Sequence, residues 1–158
     1  MNENDLLASI PTQLFIAGEW TDATGGGTLD VRDPATNRVI ATIADATPED
    51  GARALDAAVA AQEAWAATAP RERSNVLRRA FDLVQERKEE LALLMTLEMG
   101  KPLAEARGEV AYGGEFLRWF SEEAVRIQGR YGLNPEGTGH MIVCLLYTSD
   151  AADDTPCV

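Results

Sequence analysis

Four glutamates in the second half of the chain are the first candidates for chemistry: Glu98, Glu105, Glu109 and Glu115. General acid–base catalysis needs two carboxylates that converge on one substrate from different environments. These four follow one another in a predicted helical region, without a neighbouring nucleophile, histidine or metal ligand. We interpret them as solvated helix positions, with a catalytic pair as the alternative.

His140 is the only histidine, and it follows a glycine-containing turn. A general base of the triad kind needs a Ser, Cys or Asp placed to work with it, and none stands in such a setting here. The two cysteines, Cys144 and Cys157, both lie in the last fifteen residues. The sequence before them offers no thiol nucleophile, disulfide or zinc site, so we predict no catalytic, cofactor-binding or metal-binding residue in this chain.

A cluster of arginines is the strongest basic feature: Arg71, Arg73, Arg78, Arg79 and Arg87. Acidic residues alternate with them at helical spacing, which indicates ion pairs on a solvated face rather than a binding patch. The formal net charge of −12 disfavours binding to nucleic acid or to an anionic membrane surface. No apolar stretch is long enough to span a bilayer and the first residues are acidic, so we expect a cytoplasmic protein.

Glycines and aromatic residues alternate between positions 108 and 120. Tyr112, Phe116, Trp119 and Phe120 recur at intervals of three and four, which is typical of a buried helix face. Gly108, Gly113 and Gly114 each cost up to about 1 kcal/mol against alanine in a helix interior. We therefore expect another element or a ligand to approach the helix closely there.

The elements that would position these residues can be read from turn and capping signals. Residues 1–12 are expected to be a flexible N-terminus, followed to about residue 45 by a small antiparallel β meander. Within it Gly25-Gly26-Gly27 leads into an alternating, strand-like run. That order favours a loop between strands over a phosphate cradle, which would open a helix.

About four helices follow. Thr47 and Pro48 form a helix start, with Leu55, Val59 and Trp65 on one face. Helical periodicity resumes after Pro70 and stops at Gly100, which suits a C-terminal cap. A long helix is predicted from Leu103 to about Ile127, and a strand begins at His140. The fold class is therefore α+β.

The order of several short motifs resembles the aldehyde dehydrogenase superfamily. The motifs are Leu14-Phe15-Ile16-Ala17-Gly18-Glu19-Trp20, Asp33-Pro34-Ala35-Thr36 before Val39-Ile40, Ala64-Trp65 before Pro70-Arg71-Glu72-Arg73, and Leu97-Glu98-Met99-Gly100-Lys101-Pro102-Leu103. Together with Phe116-Leu117-Arg118-Trp119-Phe120 they are most similar to the succinate-semialdehyde dehydrogenase branch. The resemblance covers about 130 residues and implies that residues 13–143 are the N-terminal part of an aldehyde-dehydrogenase-like α/β fold.

The resemblance also implies a function for a longer parent enzyme. Such enzymes oxidise an aldehyde, here a semialdehyde, to the acid with NAD or NADP, and they assemble as homo-oligomers. The family's substrate-tunnel positions fall at Gly108, Tyr112 and Phe116. The family's nucleophilic cysteine, general-base glutamate and cofactor motifs have no match in this sequence, so we expect the chain itself to bind no cofactor and to be inactive.

The last residues, 144–158, do not continue the pattern. The stretch from Cys144 to Asp154 resembles one reading frame through an adapter used to prepare sequencing libraries, so we expect a non-native tail. The alternative interpretation of the whole chain is a stand-alone acidic helical protein-binding module with an authentic tail.

Overall fold

A computed structural model describes residues 2–144 as an α+β arrangement, in agreement with the predicted fold class. The helices are α1 Glu3–Ser9, α2 Pro48–Ala67, α3 Pro70–Glu86, α4 Lys88–Met99 and α5 Leu103–Glu123. The strands are β1 Leu14–Ile16, β2 Glu19–Thr21, β3 Thr28–Arg32, β4 Val39–Ala44, β5 Arg130–Leu133 and β6 His140–Val143. The expectation of a non-native tail over 144–158 falls, apart from Cys144, outside the described residues.

The N-terminus departs from expectation. A flexible segment was predicted over residues 1–12, but residues 3–9 form helix α1, a fifth helix. Its first turn is capped by Asn2, whose side chain accepts a hydrogen bond from the Asp5 amide at 2.9 Å. Leu6 is only 2% exposed because α1 packs against α4. Seven residues give too little periodicity to distinguish such a helix from a loop. Burial of Leu6 supplies the stabilisation that the local sequence does not provide.

The strands pair antiparallel as three separate hairpins, two of them in the region of the predicted meander and the third after α5. β1 pairs with β2, β3 with β4, and β5 with β6. The run Gly25–Gly27 leads into β3, which confirms the prediction of a loop between strands.

Helix α5 lies at the centre of the helical layer, packed against α3 and α4. The core between them is built from small or medium side chains, with Ala92 and Ala106 fully buried and Val110 nearly so. The predicted stop between α4 and α5 is confirmed at Gly100, which has a left-handed φ of 73°. A Cβ there would also lie 3.0 Å from Pro34 Cγ, so this position favours glycine for two independent reasons.

Two arginines of the predicted cluster, Arg78 of α3 and Arg87 between α3 and α4, form surface ion pairs at the predicted helical spacing. Arg78 contacts Asp82 at 3.3 Å and Arg87 contacts Glu90 at 2.9 Å. Glu89 of α4 accepts a hydrogen bond from Arg107 of α5 at 2.8 Å. This bond lowers the pKa of Glu89 and raises that of Arg107. Exposed ion pairs of this kind contribute little to the free energy of unfolding. Their main effect is therefore on the relative orientation of the helices.

One buried carboxylate joins the N-terminal strands to α2. Asp50 is 1% exposed and completes the predicted cap of α2 together with Thr47. Its oxygens accept hydrogen bonds from the backbone amides of Thr24 at 3.1 Å and Thr47 at 2.9 Å, and from Arg53 Nη1 at 2.9 Å. Hydrogen bonds from the Thr24 side chain and the Thr47 amide lower the pKa of Asp50 far below its usual range.

The opposite side of α2 is apolar and uncovered among the residues described. Leu55 is 65% exposed, and Val59 and Trp65 on the same predicted face are also exposed. Both strands of the β5–β6 hairpin are exposed along their length. Large exposed apolar surfaces are uncommon on stable monomers. No helix within residues 2–144 is both long and apolar enough to cross a membrane.

The pKa shift of Asp50 predicts a pH-dependent local stability. Because folding lowers this pKa, the stabilisation is complete above the usual aspartate value of about 3.9 and is lost as pH falls below it towards the folded value. At pH 7, Asp50→Asn should raise hydrogen-exchange rates at the Thr24 and Thr47 amides by roughly tenfold or more. The ratio of variant to wild-type rates should fall towards one in strong acid. Asp56→Asn, an exposed aspartate on the same helix, is the control; equal effects of the two substitutions would contradict the prediction.

The uncovered apolar faces predict low stability for the isolated chain. We expect a broad, non-cooperative thermal transition and binding of a dye that reports exposed apolar surface. Leu55→Gln should reduce dye binding without reducing helix content, since that side chain is exposed. A sharp cooperative transition of a monomer, followed by circular dichroism, would show that the prediction is wrong.

Candidate functional site

Helix α5 has two opposite faces of different composition. Its buried residues are Ala106, Val110, Gly114 and Ser121, and they form the side that meets α3 and α4. The aromatic residues lie roughly half a turn away from that side. The inner face therefore fixes the helix, and the outer face is available for contact.

The aromatic stripe is not part of the described core, which corrects the interpretation of a buried helix face. Tyr112 is 65% exposed and Trp119 is 63% exposed, and Phe116 and Phe120 are exposed as well. The period of three and four correctly identified a shared face, but small residues on the other side of α5 form the contact with α3 and α4. The aromatic side chains line an open cavity of about 410 Å³ together with Glu115.

The three residues expected at the substrate tunnel lie on this outer face. Tyr112 and Phe116 pack edge to face with ring centroids 5.0 Å apart, a favourable geometry for aromatic rings. Gly108 precedes Tyr112 by four residues, is exposed, and has nothing within 4 Å of the position that a Cβ would occupy. The structure thus brings Gly108, Tyr112 and Phe116 to one surface; their role as a tunnel wall stays a prediction.

Other members of the same cavity were not assigned to it from the sequence. Glu115, Trp119 and Phe120 line it beside Tyr112 and Phe116. The spacing of Trp119 and Phe120 could have placed them there, since they continue the same stripe. Glu115 is paired with Arg118 at 2.6 Å, so the cavity has one charged rim and an otherwise aromatic lining.

The other glutamates do not form a catalytic pair among the described residues. Glu98 and Glu109 both line an apolar groove between α4 and α5, where Glu109 is ion-paired with Lys101. Every described carboxyl group with a shifted pKa has that pKa lowered, whereas a general acid at neutral pH needs it raised. The mainly aromatic lining of the cavity on α5 suits apolar contact with a ligand.

The remaining candidates from the sequence, His140 and Cys144, lie outside α5. His140 belongs to β6 and stacks on Tyr131 with ring centroids 5.2 Å apart. Cys144 is exposed and lies at the end of the described residues. Within residues 2–144, no group of three potential His, Cys, Asp or Glu ligands is placed to hold a metal ion.

This chain is similar to known proteins of one family. Residues 20–145 match the model of the aldehyde dehydrogenase family. The chain is 64% identical over 117 residues to a succinate-semialdehyde dehydrogenase of Paenarthrobacter nicotinovorans, covering 70% of this chain and 26% of that protein. It is 49% identical over 117 residues to a glutarate-semialdehyde dehydrogenase of Pseudomonas aeruginosa, covering 74% and 24%.

Solved structures give the same result at the level of the fold. A succinate-semialdehyde dehydrogenase from Burkholderia pseudomallei matches with a TM-score of 0.77 and 42% identity, covering 82% of this chain and 27% of that one. A betaine aldehyde dehydrogenase from Staphylococcus aureus in complex with NAD+ matches with a TM-score of 0.81 and 30% identity, covering 85% and 27%.

The chain therefore spans about a quarter of the length of these relatives. The resemblance in the motifs, the family match over most of the chain and the shared fold agree, and the chain belongs to the aldehyde dehydrogenase family.

Proposed function

We propose that this chain is the N-terminal part of an NAD(P)-dependent semialdehyde dehydrogenase, with succinate semialdehyde as the expected substrate. The principal support is the 64% identity over 117 residues to a succinate-semialdehyde dehydrogenase. A relative named for glutarate semialdehyde, at 49% identity, points to the same substrate class. The parent enzyme is expected to be a cytoplasmic homo-oligomer.

In this proposal the chain contributes one wall of the substrate tunnel. Gly108 leaves bare backbone on the outer face of α5, and Tyr112 and Phe116 supply an aromatic surface beside it. An apolar wall suits the methylene chain of a semialdehyde, since contact there removes apolar surface from water. Glu115 is paired with Arg118 at the rim, so its charge is partly neutralised where an anionic substrate would pass.

The described residues do not fit a nicotinamide dinucleotide by themselves. A dinucleotide pyrophosphate binds where a glycine-rich turn opens a helix. Here Gly25–Gly27 opens strand β3 instead, and the outer face of α5 is mainly aromatic. The cofactor and the reacting groups would therefore belong to the rest of the parent enzyme, and the chain alone would be inactive.

A second candidate function is a stand-alone helical binding module. The exposed apolar face of α2, with Leu55, Val59 and Trp65, favours this alternative because such a face can dock on a partner. Sequencing the source locus across codon 144 separates the two. A reading frame that continues beyond residue 143 into sequence similar to the aldehyde dehydrogenase relatives supports the enzyme, and a stop after Val158 supports the module.

The first test of the enzyme proposal compares the chain with a chimera. The purified chain should form no NADH or NADPH from succinate semialdehyde above the blank. A chimera in which residues 13–143 replace the equivalent part of the Paenarthrobacter nicotinovorans relative should be active, because 64% identity preserves the packing surfaces. Turnover by the chain alone would contradict the expected inactivity. A soluble but inactive chimera would contradict the proposed function.

The second test addresses the tunnel wall. In the active chimera, Tyr112→Ala should lower kcat/KM for succinate semialdehyde by about tenfold, because loss of an apolar contact weakens binding of the substrate chain. Tyr131→Ala is the matched control, since Tyr131 is equally exposed but lies on β5. Similar losses in both variants, measured by steady-state kinetics, would argue against a specific role for Tyr112.

A further inference from the structure

Gly114 lies where α5 approaches α3 most closely among the described glycines of that helix. A Cβ at this position would lie 3.1 Å from Gln85 Nε2, 3.4 Å from Val84 Cγ1 and 3.8 Å from Phe81 Cδ2. The Gln85 side chain is exposed and can move aside, whereas Val84 and Phe81 are partly buried. A single added methyl group could thus be accommodated, but a branched side chain would meet the two residues that cannot retreat.

Gly113 provides an internal comparison. It is the next residue of the same helix and is exposed, and a Cβ there would meet nothing within 4 Å. A glycine costs the helix a similar amount at either position. Close packing against α3 therefore explains the presence of glycine at position 114, and it does not explain the glycine at position 113.

The packed and aromatic faces of α5 are coupled through the helix itself. Tyr112 and Phe116 each stand two residues from Gly114, which corresponds to roughly 200° around the helix. The distance between α5 and α3 at Gly114 therefore sets how far the rings of Tyr112 and Phe116 project on the other side of α5. Packed interiors resist compression, so a bulkier residue at 114 displaces the helix outwards rather than deforming it.

We propose that Gly114 is a positioning residue for substrate selection, since its contact with Val84 and Phe81 fixes the distance between the aromatic face of α5 and the substrate. This inference rests on the proposed function, in which that face is a wall of the tunnel. An outward shift of α5 narrows the tunnel, so it penalises a wider substrate more than a narrow one. The substrate class concerned is a short, unbranched semialdehyde.

The experiment uses the full-length active chimera and the ratio of kcat/KM for succinate semialdehyde to that for a methyl-branched analogue of the same chain length. Gly114→Val should raise this ratio on the order of fivefold, because displacements of a fraction of an ångström alter the fit of a single methyl group. Gly114→Ala should leave the ratio near wild type, because only Gln85 needs to move.

Two further variants separate positioning from loss of stability. Gly113→Val carries the same helix penalty but should leave the ratio unchanged, since no atom of residues 2–144 lies within 4 Å of its Cβ position. Val84→Ala combined with Gly114→Val leaves only one methyl group more than wild type, as Gly114→Ala does, and should return the ratio towards wild type. A merely destabilised enzyme would lose kcat/KM for both substrates alike.

The possible outcomes are distinguishable. An active chimera whose ratio is the same in wild type and Gly114→Val, or is shifted equally by Gly113→Val and Gly114→Val, would overturn the inference and leave the proposed function intact. A soluble chimera without turnover would overturn the proposed function and, with it, the inference. A ratio raised by Gly114→Val and reversed by Val84→Ala would support both.

Discussion

The close approach of α5 to α3 and α4 is the contact on which the described helical layer depends. It is made by residues with little side chain, with Ala92 and Ala106 fully buried and Gly114 against Val84. Small residues allow the helix axes to approach closely. The bulky residues of α5 lie on the side that faces away from α3 and α4. The exposed aromatic face is thus a direct consequence of how the core is built.

Local signals in the sequence specified many of the element boundaries. Thr47 and Pro48 begin α2, and Asp50 closes a reciprocal cap with Thr47. Gly100 ends α4 in the left-handed conformation, and α5 begins after Pro102. Such signals depend on a few adjacent residues and their backbone angles, so they can be read without knowledge of the tertiary structure. The same applies to the ion pair of Arg78 and Asp82 on α3, whose partners stand four residues apart.

Features that depend on distant contacts were not accessible in this way. Helix α1 is held in place by burial of Leu6 against α4, which begins about eighty residues later in the chain. The sequence of α1 is too short to specify a helix by itself. The capping role of Asp50 was partly visible, but its bonds to Thr24 join segments 26 residues apart. The burial of Asp50 and its lowered pKa follow from that distant loop, so the motif at the start of α2 could not reveal them.

The aromatic stripe shows the limit of periodicity most clearly. A repeat of three and four identifies a face of a helix, but it does not identify what covers that face. Helix α5 has a face of small residues and a face of aromatic residues, and only the face of small residues is covered in residues 2–144. The chain spans about a quarter of the length of its relatives. One face anchors α5 to its neighbours, and in the proposed function the other face meets substrate or further chain. The specificity of the proposed tunnel would then depend on the packing of α5 against α3 as much as on the identity of its aromatic side chains.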